Sequence, residues 1–275
     1  MNSTQARPSV TVVVPVWDSP YVDWLPHAVE AVRTQDPGVR ILVVDNASTV
    51  AVPRLEGTEV VSTSQRLSAG EARNAGIRHV DTEFVMFLDA DDELLEGALE
   101  RARREISSDP GLAAFAMSLL EPGTRRRHRY PHRFAFVLVR FPRAFALANT
   151  VWSLYSTQGC AIFRTAWVTE CGGYADLSGP EDWILGVSQA FRGRIRIDRR
   201  PGLIYQVHRG SLAHAQSGRY MLLAARRVRE RLRNDPAVPG WARALTPMIG
   251  VMQAFAIFVL RPIYRATRAA VSGRP

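Results

Sequence analysis

The chain has 275 residues, 47% of them hydrophobic and 22% charged, which suits one large domain or one domain with a short appendage. Its two cysteines, Cys160 and Cys171, exclude a disulfide framework and a cysteine-rich zinc site, so reduced, cytosolic surroundings are the default. The formal charge of +9 contains no Lys and is unevenly spread: residues 1–100 carry 16 Asp/Glu against 7 Arg, and residues 101–275 carry 10 against 28.

The predicted elements begin with a buried strand at 10–15, β-branched and bounded by Pro15. A helix follows over 23–35, with apolar positions at Trp24, Leu25, Ala28, Val29 and Val32, and Asp36-Pro37-Gly38 ends it. Residues 40–44 form a second apolar strand that closes in Asp45-Asn46-Ala47-Ser48, and 59–62 a weaker third. The stretch 68–79 reads as a helix with Ser68 as N-cap and Glu71 three residues on. A fourth strand, 83–88, runs straight into Asp89. Strands and helices alternating over short connections predict an open, mostly parallel sheet covered by helices, with ligands at the carboxyl ends of the strands. Asp18, Asp45 and Asp89 converge on that rim.

The second part is less regular. A helix is expected over 94–106 and a strand over 112–120, then an Arg-rich loop, 122–132, and an aromatic, Arg-dotted stretch, 134–154. Residues 159–164 read as a strand, 181–191 as a helix, and 203–207 as a final strand. A basic amphipathic helix over 219–233 carries Met221, Ala225, Val228 and Leu232 on one face. The apolar segment 244–260 holds Pro247, Gly250 and Gln253, and it falls short of the ~20 residues of a spanning helix. Either an interfacial element or a buried hairpin fits it. The opening residues do not read as a secretory signal.

The strongest chemical signal is Phe87-Leu88-Asp89-Ala90-Asp91-Asp92. Carboxylates at the end of an apolar strand can hold Mg²⁺ or Mn²⁺ with positions left for phosphate oxygens. Asp92 reads either as a residue supporting the cluster or as the N-cap of the helix expected from Leu94, the cap being favoured. No Gly-x-Gly-x-x-Gly or other Gly-rich loop follows the first strand, which excludes a nicotinamide-binding fold and a sugar-nucleotide pyrophosphorylase. Rim carboxylates disfavour a nucleic-acid partner.

These motifs resemble the inverting family-2 glycosyltransferases of the GT-A fold. The likeness runs through Val14-Pro15-Val16-Trp17-Asp18, Val44-Asp45-Asn46-Ala47-Ser48, Ala72-Arg73-Asn74-Ala75-Gly76 and Asp89-Ala90-Asp91, and resumes at Glu181-Asp182. The resemblance implies a GT-A-type, Rossmann-like sheet in a catalytic domain over 1–210. Residues 1–105 would form the nucleotide-sugar half, 106–210 the acceptor half, and 211–275 a basic helical C-terminal appendage. It implies a UDP-, GDP- or dTDP-sugar donor bound by Pro15, Val16, Asp18, Asp45, Arg73 and Asp89, with Arg73 at the diphosphate. The divalent cation would be held by Asp91, Asp89 and His208. Asp182 would be the catalytic base, with Glu181 as orienter or acceptor contact; an acidic helix start is also explained by the macrodipole alone. Asn46 stands where the family commonly has a second Asp, and Gln-x-x-Arg-Trp, the mark of processive members, is absent. A single transfer is expected, to a glycan or a lipid-linked sugar, by a protein peripheral to the inner face of the cell membrane. A catalytically inactive nucleotide-sugar-binding or membrane-surface protein is the alternative.

Overall fold

The computed structural model describes residues 10–36, 38–120, 133–177, 180–206 and 218–262. Strand β1 (Val10–Val16) is buried along its whole length, because parallel neighbours flank it on both sides and helices cover both faces. Helix α1 (Asp18–Arg33) starts earlier than the apolar spacing indicates, since a kink at Ser19 lets a short turn precede the regular helix. Strands β2 (Arg40–Asp45) and β3 (Thr58–Ser62) follow in parallel register. Helix α2 (Ala69–Ile77) is capped as predicted, with Ser68 Oγ accepting from the Glu71 N–H. It lies so close to the sheet that a Cβ at Gly76 would fall 2.5 Å from Val13 Cγ1 and 2.9 Å from Val44 Cγ2. Only glycine permits that approach.

Strand β4 (Phe84–Phe87) leads to the acidic loop, then to β5 (Glu93–Leu94) and α3 (Ala98–Ser107). The helix expected from Leu94 therefore begins four residues later, behind Gly97 with φ 69°. Strand β6 (Leu112–Leu120), α4 (Ala135–Leu138), α5 (Pro142–Val151), β7 (Ala161–Arg164), α6 (Thr165–Glu170), α7 (Glu181–Arg192) and β8 (Arg194–Ile204) complete the sheet and its cover. The last strand is longer and earlier than the predicted 203–207. Its first half alternates Arg with Ile, and its pairing to β6 is broken by bulges, so the run does not read as a buried strand.

The eight strands are ordered β3-β2-β1-β4-β7-β6-β8-β5. Four pairings are parallel and three, those of β4–β7, β6–β7 and β5–β8, antiparallel. This is the expected mostly parallel α/β sheet, turned at β7. Val12 and Val14 face one core with α1 and α3; Val13 and Val44 face the other with Phe163 and Leu185.

Helices α8 (Gly218–Asn234), α9 (Gly240–Ala244) and α10 (Thr246–Phe255), with a π-helical turn Ala256–Leu260, form a further layer on α7. Ala225, Val228 and Leu232, on the predicted apolar face of α8, are buried there with Trp183, Ile184, Val187, Ile249 and Ile257. No helix among the described residues is long and apolar enough to cross a membrane.

Candidate active site

Because β1, β2 and β4 are mutually parallel, their carboxyl ends open on one rim, and Asp18, Asp45 and Asp89 lie there. Pro15 and Val16 are buried in the last turn of β1, in register with Val44 and Asp45. Asp45 accepts from the Ser48 N–H at 2.9 Å and from Ser62 Oγ at 3.2 Å. Asp18 has φ 46° and accepts from the Thr49 N–H at 2.6 Å and Thr49 Oγ1 at 2.7 Å. Those two bonds hold its carboxyl below the usual range.

Asn46 is buried and fastens the next loop, accepting from the Leu67 N–H at 2.9 Å and donating to the Leu67 carbonyl at 3.0 Å. A carboxylate could do only the first, so the two bonds call for an amide at this position. Arg66, in that loop, lies 4.9 Å over the Trp17 ring, and Trp17 lies 4.1 Å from Tyr21.

Asp89, Asp91 and Asp92 follow β4, each offering one carboxylate oxygen within 4.8 Å of the others. Asp92 is a correction to the sequence reading: it caps no helix but is buried in the cluster and accepts from the Gln206 N–H at 3.1 Å. Burial, then Asp89 and Asp91, push its carboxyl well above the ordinary range. Such crowding is what a cation would relieve, so the donor set fits a hard divalent ion. The Tyr21 phenol is pushed up to about 12 by burial and by Asp91 and Asp89.

Arg73 joins the two acidic groups. It is 3% exposed, donating through Nη2 to Asp89 at 2.5 Å and through Nη1 to Glu181 at 2.7 Å. Burial alone would lower its pKa; the two carboxylates more than reverse this, and the guanidinium stays charged. Its Nε is buried with no partner among the described residues. The neighbouring Asn74 pins the chain before α7, accepting from the Tyr174 N–H and donating to its carbonyl, both at 2.9 Å. The motif Ala72-Arg73-Asn74-Ala75-Gly76 thus divides its work among an ion clamp, a backbone clamp and a close helix–sheet contact.

Glu181 also accepts from Gln158 Nε2 at 2.8 Å. Asp182, half-buried beside it, has its carboxyl raised to about 7, by burial first and by Glu181 second. A carboxylate of that basicity can take a proton from a hydroxyl near neutral pH.

The structure brings Asp18, Asp45, Arg73, Asp89, Asp91, Glu181 and Asp182 to one region, through the rim, the acidic cluster and the Arg73 bridge. His208 lies outside the described residues, two positions beyond Gln206. Residues that sequence reading missed are Tyr21, Arg66 and Gln158, none of which carried a local signal, while Asp92 was placed beside the cluster but favoured as a cap.

The sequence profile described as Glycosyl transferase family 2 matches residues 11–172. Among solved structures, S. aureus TarS 1–349 in complex with UDP-GlcNAc is 16% identical, with a TM-score of 0.65 over 91% of this chain and 73% of that one. The mannosyltransferase PcManGT from Pyrobaculum calidifontis, in complex with GDP-Man and Mn²⁺, is 19% identical, with a TM-score of 0.57 over 98% of this chain and 81% of that one. No curated protein sequence matches.

Proposed function

The chain belongs to glycosyl transferase family 2, a glycosyltransferase of GT-A fold, and on that premise we propose that it transfers one sugar, with inversion, from a nucleotide diphosphate sugar to an acceptor hydroxyl. The observation that carries the reading is the Arg73 bridge, which fixes a three-carboxylate cluster against a helix start bearing a carboxyl raised to about 7.

In this reading Pro15, Val16, Asp18 and Asp45 take the nucleoside, and Asp89, Asp91 and Asp92 would hold Mg²⁺ or Mn²⁺, with His208 proposed as a further ligand. When bound, the cation offsets the charge of the departing diphosphate. Arg73 holds Asp89 and Glu181 in place and adds its charge on the diphosphate side. Asp182 accepts the proton of the acceptor hydroxyl as the oxygen attacks the anomeric carbon, and Glu181, anchored by Arg73 and Gln158, keeps Asp182 basic by repulsion. The basic second part supports an acceptor that is a glycan or a lipid-linked sugar, and a location on the inner face of the cell membrane.

The test is a panel of UDP-, GDP- and dTDP-sugars assayed for hydrolysis and transfer with Mg²⁺ or Mn²⁺ and with excess chelator. One donor should be turned over in a metal-dependent way, with an inverted product. Tight donor binding without turnover would support the inactive binding module instead, and full activity in chelator would remove the cation from the scheme.

A further inference from the structure

Away from the rim, the C-terminal layer presents an apolar face. Helix α10 and its π-helical turn direct Ile249, Gln253, Ala256 and Ile257 inward. Outward stand Val251 at 72% exposure, Phe258 at 59%, Phe255 at 54% and Met248 at 52%, joined by Met252 and Val259. Their spacing of three, four and seven residues makes one stripe along the element. Helix α5 packs against α10, and α4 against α5. These two also expose large apolar side chains, Phe134, Val137 and Phe141. Isolated exposed apolar residues are ordinary, but a continuous stripe marks a contact.

Charge identifies the contact. Residues 133–151 and 236–262 contain five Arg and no Asp or Glu. On α8, Arg229 hydrogen-bonds Gln253 of α10. Burial, Arg233 and Arg226 depress its pKa, while Glu230 of the same helix pairs with Arg226 and Arg227. A second copy docking through a two-fold contact would set this acid-free surface against itself, like charge on like. A bilayer carrying anionic headgroups supplies both the apolar phase and the opposite charge.

We propose that the outward face of α10 and its π-helical turn docks in the plane of an anionic lipid bilayer. The 15 residues Thr246 to Leu260 span about 22 Å, a length that lies along the interface rather than across it. The docked helix is bonded to the acceptor side of the site. Gln253 Nε2 donates to the Thr150 carbonyl at 2.7 Å, and Trp183 Nε1, next to Asp182, donates to the Asn149 carbonyl at 2.5 Å. Two consecutive residues of α5 therefore join the lipid-facing helix to the helix that carries the base. Resting on the transferase reading, this makes the acceptor a lipid-borne one, presented from the surface on which the protein sits.

Flotation of the full chain with phosphatidylcholine vesicles, with and without phosphatidylglycerol, tests the docking. Binding should require the anionic lipid and weaken with salt. The double variant Val251→Glu, Phe255→Glu should lose about tenfold or more in vesicle affinity, because two apolar contacts are removed and two like charges added. Its hydrolysis of nucleotide sugar without vesicles should match the parent, which also reports an intact fold. Flotation of the double variant at parental strength would overturn the proposal, as would a soluble dimer that the double variant dissociates. Vesicle binding by a chain ending at Pro262 but not by the full chain would overturn it too, because residues 263–275 would then be the occupant. Failure of every nucleotide sugar to turn over would count against the transferase reading, while flotation alone decides the docking.

Discussion

Two acidic groups meet at this site and are built in opposite ways. Asp89, Asp91 and Asp92 sit on a loop after a buried strand, each with a carboxylate oxygen within 4.8 Å of the others. Glu181 and Asp182 open a helix, one fully buried on an arginine and a glutamine, the other raised to about 7. Crowding in the first favours a cation; desolvation in the second favours a proton. The same side-chain chemistry thus suits a cation in one place and a proton in the other, and Arg73 reaches both groups, through Asp89 and Glu181.

The largest expected effect breaks the first group. Asp91→Asn should leave the fold intact and lower metal-dependent turnover by roughly a thousandfold, since a bound cation contributes several kcal/mol to leaving-group stabilisation. Steady-state rates against Mn²⁺ concentration check this; unchanged rates would mean that the cluster has a structural role only.

The link between the groups comes next. Arg73→Met removes the counter-charge of a buried pair and should cost about 3–5 kcal/mol of stability, read as a lowered urea midpoint. A variant that unfolds at the parental midpoint would show the groups to be independent.

Asp182→Asn sharpens the comparison, because it should leave the cation group alone. The transfer rate should fall by about a hundredfold or more with donor affinity nearly intact. As the proposed base Asp182 would work deprotonated, and its carboxyl is raised to about 7, so the parent should lose activity as pH falls through about 7 and reach a plateau above it. That acidic limb should vanish in the Asn variant, and a collapse of donor affinity would instead make Asp182 a binding residue.

Asn46→Asp marks the edge of the acidic region. It adds a third kind of carboxylate, one that must face the Leu67 carbonyl it can no longer donate to. A loss of about 1–3 kcal/mol is expected in thermal or urea unfolding, with the acid cluster undisturbed.

The difference between the regions also governs what could be read in advance. β1, β2 and β4 are buried on both faces, so their apolar runs announce them, and the carboxylates that follow inherit their position. Ser68 and Glu71 marked α2 because a cap is a local contact. Beyond local contacts the sequence was silent or misleading. Arg73 finds Glu181 at a separation of 108 residues, a partnership without local spacing. Asp92 looked like a cap because the turn and Gly97 that delay α3 resemble the start of a helix. The first part of β8 escaped because Arg alternates with Ile on a strand whose outer neighbour is only two residues long.

The 108-residue span of the Arg73–Glu181 bond has a consequence for how the molecule comes into being. Strand β4 takes its antiparallel partner from β7, pairing Phe84 with Arg164 and Met86 with Ile162, and the site closes only when α7 has docked. Contacts this remote carry a loop-closure cost, so the docking of β7 and α7 is expected to be a slow step in folding. On the ribosome, a nascent chain of about 105 residues would hold its acidic loop but lack both Glu181 and Asp182. Catalytic competence would then arrive in a single step with the tertiary structure, and a kinetic trace of turnover during refolding should lag the helix signal.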